Sequence, residues 1–226
     1  MARRAILAII ALAWLFATGA EAGPPTDTLR ATFAQANKII NDRATEDRPL
    51  ERLVAIRALF SKVFDFRGAA ERVLGPEWRA RTAVEQREFT SIFSGFVQRG
   101  FVYWLASVAE VDANAGGITV FYLGEAADRD QAAVQTAIVG RGGRHIRLDH
   151  QMVYQGQRWM VSDVTIDGIS LVTNYRAQFE RVIRASSYRE LVTRMRDRVA
   201  GELPRPASAR PEPLGAEIKL LPVETH

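Results

Sequence analysis

The side chains in this sequence that could do chemistry are few and scattered. Three histidines are present, His145, His150 and His226. His145 and His150 are an odd number of residues apart in an alternating stretch, so they point to opposite faces of one strand and cannot share a metal. No carboxylate pair stands at ligand spacing to complete a site. The run Gly140-Arg-Gly-Gly143 opens no helix, lacks what a phosphate loop needs and reads as a hairpin turn. Gly168-Ile-Ser170 lacks the second glycine of a nucleophile elbow and has no histidine partner. One acid/base set remains, Asp163, His150 and Tyr154: a curved sheet packed on helices can form a cone-shaped pocket where such groups act on a small hydrophobic substrate. Alternation, however, turns Asp163 away from Val164 and Ile166, toward solvent or a hairpin-capping role. The expectation is therefore no catalytic residue, no metal and no cofactor.

The elements that would position these residues follow from periodicity. Thr26 or Asp27 can cap a first helix with a face of Leu29, Phe33, Ala36 and Ile40. Pro49 starts a second, carrying Leu53, Ile56, Leu59, Phe60 and Val63. A short third helix from Arg67 to Leu74 ends at Gly75-Pro76. Thr82-Ala-Val-Glu85 is a capping box, in which the cap hydroxyl and the glutamate satisfy each other's backbone donors, and it opens a long helix. From Gly116-Gly117 the period shortens to that of strands: 118–123, 132–139, 144–155 and 158–166. Ile146, Leu148, Met152 and Tyr154 share one face of the third, which His150 interrupts. Hairpin-length connections make the set an antiparallel meander that needs a helical layer on one face. Within Asp163 to Phe179 the period returns to a helix with Leu171, Val172, Tyr175 and Phe179 inside, Gly168 at the corner and Ser170 as cap. Ser187-Tyr-Arg-Glu190 is a second capping box before a last helix.

The long helix carries more apolar surface than one face needs. Phe89, Ile92, Phe93, Phe96 and Val97 keep one side, but from Phe101 through Leu105 apolar residues run nearly all round. Such a helix end must be covered on every side, by core or by a bound apolar ligand.

Arg3 and Arg4, the apolar run Ala5 to Ala17 and the small residues of Ala20-Glu-Ala22 have the pattern of a secretory signal peptide, 1–22, cleaved after Ala22. The expected location is the periplasm or outside the cell, which the absence of cysteine allows. The net charge of +4 is modest, and no basic stripe interleaved with aromatics points to nucleic acid. Weak contact with anionic membrane surfaces is compatible with it. Five of the nine prolines fall after Leu203, so 204–226 is expected to be a disordered tail. The folded unit is then 23–203, with helices over 26–106, a sheet over 118–166 and helices over 170–203.

The stretch Tyr154-Gln-Gly-Gln-Arg-Trp-Met-Val-Ser-Asp-Val-Thr-Ile-Asp-Gly-Ile-Ser-Leu-Val-Thr-Asn-Tyr-Arg-Ala-Gln-Phe179 closely resembles the signature of MlaC-type periplasmic phospholipid-binding proteins, the toluene-tolerance family. Phe64-Asp-Phe66, Ala69, Val73-Leu-Gly75, Trp78, Phe89 and Phe93 match the helical half of that family, and the resemblance runs from about Thr26 to Leu203. It implies an α+β fold: a twisted antiparallel sheet of about four strands, nuclear-transport-factor-like, packed against a helical layer. It also implies a carrier with phospholipid as cargo. Its partners would be an inner-membrane ABC lipid transporter complex, an outer-membrane lipoprotein or porin complex and, transiently, the membrane. A branch associated with hopanoid metabolism shares the motifs, and a cone-fold enzyme is the remaining alternative.

By that analogy the long helix lines a lipid pocket with Phe96, Val97, Phe101 and Trp104. The sheet adds Val120, Tyr122, Ile146, Leu148, Met152, Val164 and Ile166, and Ile169, Leu171 and Tyr175 stand near its mouth. Burying a CH₂ is worth about 0.8 kcal/mol, so one sixteen-carbon tail represents on the order of 12 kcal/mol. A carrier needs a dry pocket for that length and no covalent chemistry.

Overall fold

The computed structural model describes residues 24–108, 117–139, 143 and 145–200; for residues 24, 49, 50 and 102–108 only the backbone is described. The expected signal peptide 1–22, the tail 204–226 and most of the turn 140–143 lie outside the described residues.

The helices come first: α1 (Pro24–Ile40), α2 (Pro49–Val63), α3 (Phe66–Leu74), the single turn α4 (Pro76–Arg79) and the long α5 (Ala83–Val108). Strands β1 (Val120–Asp128), β2 (Gln131–Val139), β3 (His145–Gln155) and β4 (Arg158–Ile166) follow, then the two-residue β5 (Ile169–Ser170), α6 (Leu171–Ala185) and α7 (Tyr188–Ala200). The fold is α+β, and the sheet is an antiparallel meander in the order β1-β2-β3-β4-β5. One strand more than expected is present, because the two residues before α6 pair back onto the end of β4.

Local chemistry accounts for most boundaries. The capping box before α5 is formed as the sequence predicts: the Thr82 backbone N–H donates to Glu85 Oε2 at 2.7 Å and the Glu85 N–H donates to Thr82 Oγ1 at 3.2 Å. Those bonds hold the Glu85 carboxyl below its usual range. At α7, the Glu190 N–H donates to Ser187 Oγ at 3.1 Å. The β3–β4 hairpin turns through Gly156 (φ 56°) and Gln157 (φ 62°), positive at both central positions as a turn matched to the strand twist requires. The start of α1 differs from expectation. The helix begins at Pro24, and the Thr26 N–H donates to Glu125 Oε2 of β1 at 2.8 Å, so a side chain distant in sequence caps it.

Strand β4 fastens the sheet to the helices. A bulge at Ser162, between the Met152–Val161 and Gln151–Asp163 pairs, puts the buried Val161 and Val164 three residues apart, so strict alternation fails there. The bulged region pairs with the chain entering α3: Phe64 bridges Val161, and the Asp65 N–H donates to Val161 O at 2.8 Å. Asp163 then closes the strand-to-helix corner. Its Oδ1 accepts from the Val164 and Val172 N–H groups at 2.8 and 3.1 Å, and its Oδ2 accepts from the Ser170 hydroxyl at 2.5 Å. Ser170 Oγ in turn accepts from the Thr173 N–H at 3.0 Å, which makes Ser170 the cap of α6 as expected.

Asp163 is thus committed to structure. Replacing Asp163 with Ala leaves two backbone donors and a hydroxyl without their acceptor, and the expected loss is about 2 to 3 kcal/mol. Urea unfolding followed by circular dichroism measures it; an unchanged midpoint would contradict this role.

Candidate functional site

Alternation along the strands assembles a floor. On the inner face of β2, Ala132, Val134, Thr136 and Ile138 are buried, and on β3 so are Ile146, Leu148, His150 and Met152. The register sets Thr136 beside Leu148, Leu148 beside Ile166, and His150 between Val134 and Val164. At the β1 edge, Val120 and Tyr122 lie beside Ile138 and Thr136 on the same face and are half-buried. All seven strand residues expected to line a pocket therefore share one surface.

Above this floor lie α1 and α2, which form a roof of another character. Leu29 is buried, but Phe33, Ala36 and Ile40 of α1 are only half-buried. No residue from 51 to 63 in α2 is buried; Leu53, Ile56, Leu59, Phe60 and Val63 are all half-buried. An amphipathic helix ordinarily sinks its apolar stripe into the core, and this one does not. The Phe60 ring joins the roof to the helical bundle. It stacks on Phe101 at 4.9 Å and on Phe64 at 5.2 Å, and meets Phe66 edge-on at 5.7 Å.

Polar contacts also tie the roof down. Asn37 of α1 donates to Ile118 O at 3.0 Å and accepts from the Ile118 N–H at 2.7 Å. Gly117 before it has φ +102°, and a Cβ there would lie 2.5 Å from Asn37 Oδ1. The Arg30 guanidinium lies over the Tyr122 ring at 4.6 Å. Between α2 and α5, the buried Gln98 donates to Ser61 Oγ at 3.0 Å and Ser94 Oγ at 2.7 Å and accepts from Arg57 at 3.4 Å. Next to it on α5, burial lowers the pKa of Arg99 from its ordinary value, as do the charges of Arg198 and Arg57.

The helical bundle beyond is closed. Phe89, Phe93, Tyr175 and Phe179 pack as an aromatic cluster with Leu191 and Met195, each at most 1% exposed. Burial raises the Tyr175 phenol well above its usual pKa.

The MlaC protein family model matches residues 30–197, about three quarters of the sequence. This chain belongs to the MlaC family. A solved structure is similar to it: a phospholipid-binding protein from Ralstonia solanacearum, determined in complex with a phospholipid, is 22% identical. The match has a TM-score of 0.66 and covers 79% of this chain and 98% of the other, which fixes the shared fold. No curated protein matches the sequence.

Within this MlaC fold the expected site residues separate into groups. Val120, Tyr122, Ile146, Leu148, Met152, Val164 and Ile166 form the floor, and Phe101 meets the roof through Phe60. Phe96 and Val97 are buried, with Phe96 against Tyr175 at 5.4 Å. Leu171 and Tyr175 are buried in the bundle, while Ile169 is 43% exposed on β5. Trp104 belongs to α5, and its side chain lies outside the described residues. Phe33 and Phe60 are roof residues that periodicity identifies only as ordinary core. Thr136 is a polar residue at an inner position of β2, and its place between Val134 and Ile138 is the signal that marks it.

The acid/base set does not converge. Asp163 pairs with Gln151 in the register, one position from the His150–Val164 pair, and its carboxylate is taken up by the α6 corner. Tyr154 is 45% exposed beside Trp159. Among the described residues no group of three or more His, Asp or Glu side chains is placed to hold a metal ion. Arg176 pairs with Glu180 at 2.9 Å.

Burial pushes the His150 imidazolium down from 6.5 to about 4, against a small opposing effect of Asp149. The unfolded chain takes up a proton below about pH 6.5 that the folded chain refuses, so stability is full above that value and falls as the pH drops toward 4. The loss between pH 7 and 4 is about 3 kcal/mol. Urea unfolding at both pH values should show His150→Leu losing less than the parent protein by about that amount. Equal losses would contradict a buried neutral imidazole.

Proposed function

We propose that this protein is a phospholipid carrier of the periplasm, with acyl chains held between the α1–α2 roof and the sheet floor. The observation that carries the reading is the pairing of two apolar layers, one buried and one left half-buried along its apolar stripe everywhere but at Leu29. Layers in full mutual contact would bury both. A roof held by Asn37, Gln98 and a few aromatic contacts can lift at modest cost, and the apolar area it then uncovers suits a chain of methylenes. Family membership supports the reading, as does the similar Ralstonia solanacearum protein, which carries a phospholipid in its structure.

The proposed contacts are the floor residues Val120, Tyr122, Ile146, Leu148, Met152, Val164 and Ile166. Phe33, Phe60, Phe101, Phe96 and Val97 come from the helices, Trp104 from the end of α5, and Ile169, Leu171 and Tyr175 from the corner. Binding and release, not bond-making, is the proposed activity; the separation of Asp163 and Tyr154 from His150 supports this. In the cell the carrier exchanges lipid with an inner-membrane ABC transporter complex on one side and an outer-membrane lipoprotein or porin complex on the other. The leader 1–22 directs export and is removed after Ala22, leaving the lipid-binding domain 23–203 and the tail 204–226.

Organic extraction of the purified protein, followed by mass spectrometry, tests the reading. Diacyl phospholipid should be recovered at about one molecule per chain, and Leu148→Glu should abolish its retention while the circular dichroism spectrum persists. A parent protein that is folded and free of lipid after expression, or a Leu148→Glu variant that retains the parent's amount, would sink it.

A further inference from the structure

Three contacts fasten α1 along the edge strand β1. The Thr26 N–H donates to Glu125 Oε2, the Arg30 guanidinium lies over the Tyr122 ring at 4.6 Å, and Asn37 bonds both backbone groups of Ile118. The outer two are hydrogen bonds and use up the groups they join. The middle one does not: a guanidinium over a ring face uses its charge and leaves its N–H groups to other partners. Among the described residues Arg30 makes no hydrogen bond and no ion pair, and the Tyr122 hydroxyl makes no hydrogen bond. Glu125, the next acidic residue along β1, is taken up by the start of α1.

Both groups stand at the edge of the gap between roof and floor. Tyr122 is half-buried on the inner face, beside Thr136 in the register, and Arg30 is exposed on the helix that carries the buried Leu29 and the half-buried Phe33. Between them the apolar floor gives way to solvent, which is where the head group of a lipid with buried tails has to emerge. Burial raises the Tyr122 phenol above its ordinary value, with the Arg30 charge opposing, so at neutral pH the hydroxyl keeps its proton and can donate. We propose that Arg30, held over Tyr122, binds the phosphate of the lipid cargo, with the Tyr122 hydroxyl as a second donor. A guanidinium presents paired N–H groups that fit two phosphate oxygens at once, and an ammonium does not. The proposal rests on the lipid-carrier reading and deepens it: the cargo is recognised by its phosphodiester as well as by its methylenes, and its head group leaves at the seam of α1 and β1.

A diacylglycerol with the same tails has no phosphate and separates the two contributions. The delipidated protein is equilibrated with an equimolar mixture of dipalmitoyl phosphatidylethanolamine and dipalmitoylglycerol, and the bound lipid is extracted and counted by mass spectrometry. The ratio of phospholipid to diacylglycerol should be roughly tenfold higher in the parent than in Arg30→Gln, the worth of one charge-assisted hydrogen bond. Arg30→Lys, which keeps the charge and loses the fork, should lie between them, and Tyr122→Phe, which keeps the ring and removes the hydroxyl, should lower the ratio by less than Arg30→Gln does. The ³¹P resonance of the bound phospholipid should differ between the parent and Arg30→Gln. A ratio unchanged in Arg30→Gln, including one in which both lipids are lost equally as a mere tie between α1 and β1 would have it, overturns this proposal alone. Calorimetric titration of the lipid-free parent with inorganic phosphate should show no binding that Arg30→Gln removes; such binding with an unchanged lipid ratio assigns the guanidinium to free phosphate and also overturns it. Uptake of neither lipid by the parent overturns the carrier reading and this proposal with it.

Discussion

The structure depends on how β4 is held. At Val161 the carbonyl oxygen accepts from Asp65, and two residues later the Asp163 carboxylate gathers the start of α6. These bonds fix the sheet against α3 and α6, and the buried aromatic cluster of Phe89, Phe93, Tyr175 and Phe179 closes behind them. One edge of the sheet is thereby rigid. The inner face from β2 to β4 is left as an apolar surface that something must cover, and the covering layer is α1 and α2, whose apolar stripe is mostly half-buried and which Asn37, Gln98 and Glu125 tie down through hydrogen bonds. A rigid floor under a lightly held roof follows from that division of labour.

The polar groups on the inner side follow the same division. Glu125 faces inward from β1 and is used on the N-terminus of α1, where a carboxylate is favoured by the exposed N–H groups. Gln98 is buried and linked to Ser61 and Ser94. Thr136 and His150 satisfy one another at one nitrogen. Each of these groups has a partner within the protein. On the outer face of the sheet the pattern is looser: Phe121 and Leu123 on β1 are 43% and 55% exposed, a second apolar surface opposite the floor.

Much of this architecture was legible in the sequence because its determinants are local. The capping boxes at Thr82–Glu85 and Ser187–Glu190, the change of period at Asp163 and the alternation of Ile146, Leu148 and Met152 each state an element or a face within a few residues. The details it concealed are tertiary. Glu125 caps a helix about a hundred residues away, which no window of sequence reveals. The bulge at Ser162 lies beside the bridge of Val161 to Phe64, and it disturbs the alternation from which Asp163 would be placed. For the site, the floor was readable as a face, whereas Phe33 and Phe60 show the same spacing as any core residues. What distinguishes them is incomplete burial, and burial depends on the distance between layers.

The central claim is that lipid tails occupy the space between roof and floor. The most direct measurement is photo-cross-linking with phosphatidylethanolamine bearing a diazirine along one acyl chain, loaded into the purified protein and mapped by peptide mass spectrometry. The account predicts adducts on Phe33 and Phe60 of the roof and on Leu148 and Met152 of the floor. Adducts confined to Phe121 and Leu123 on the outer face of the sheet would contradict it.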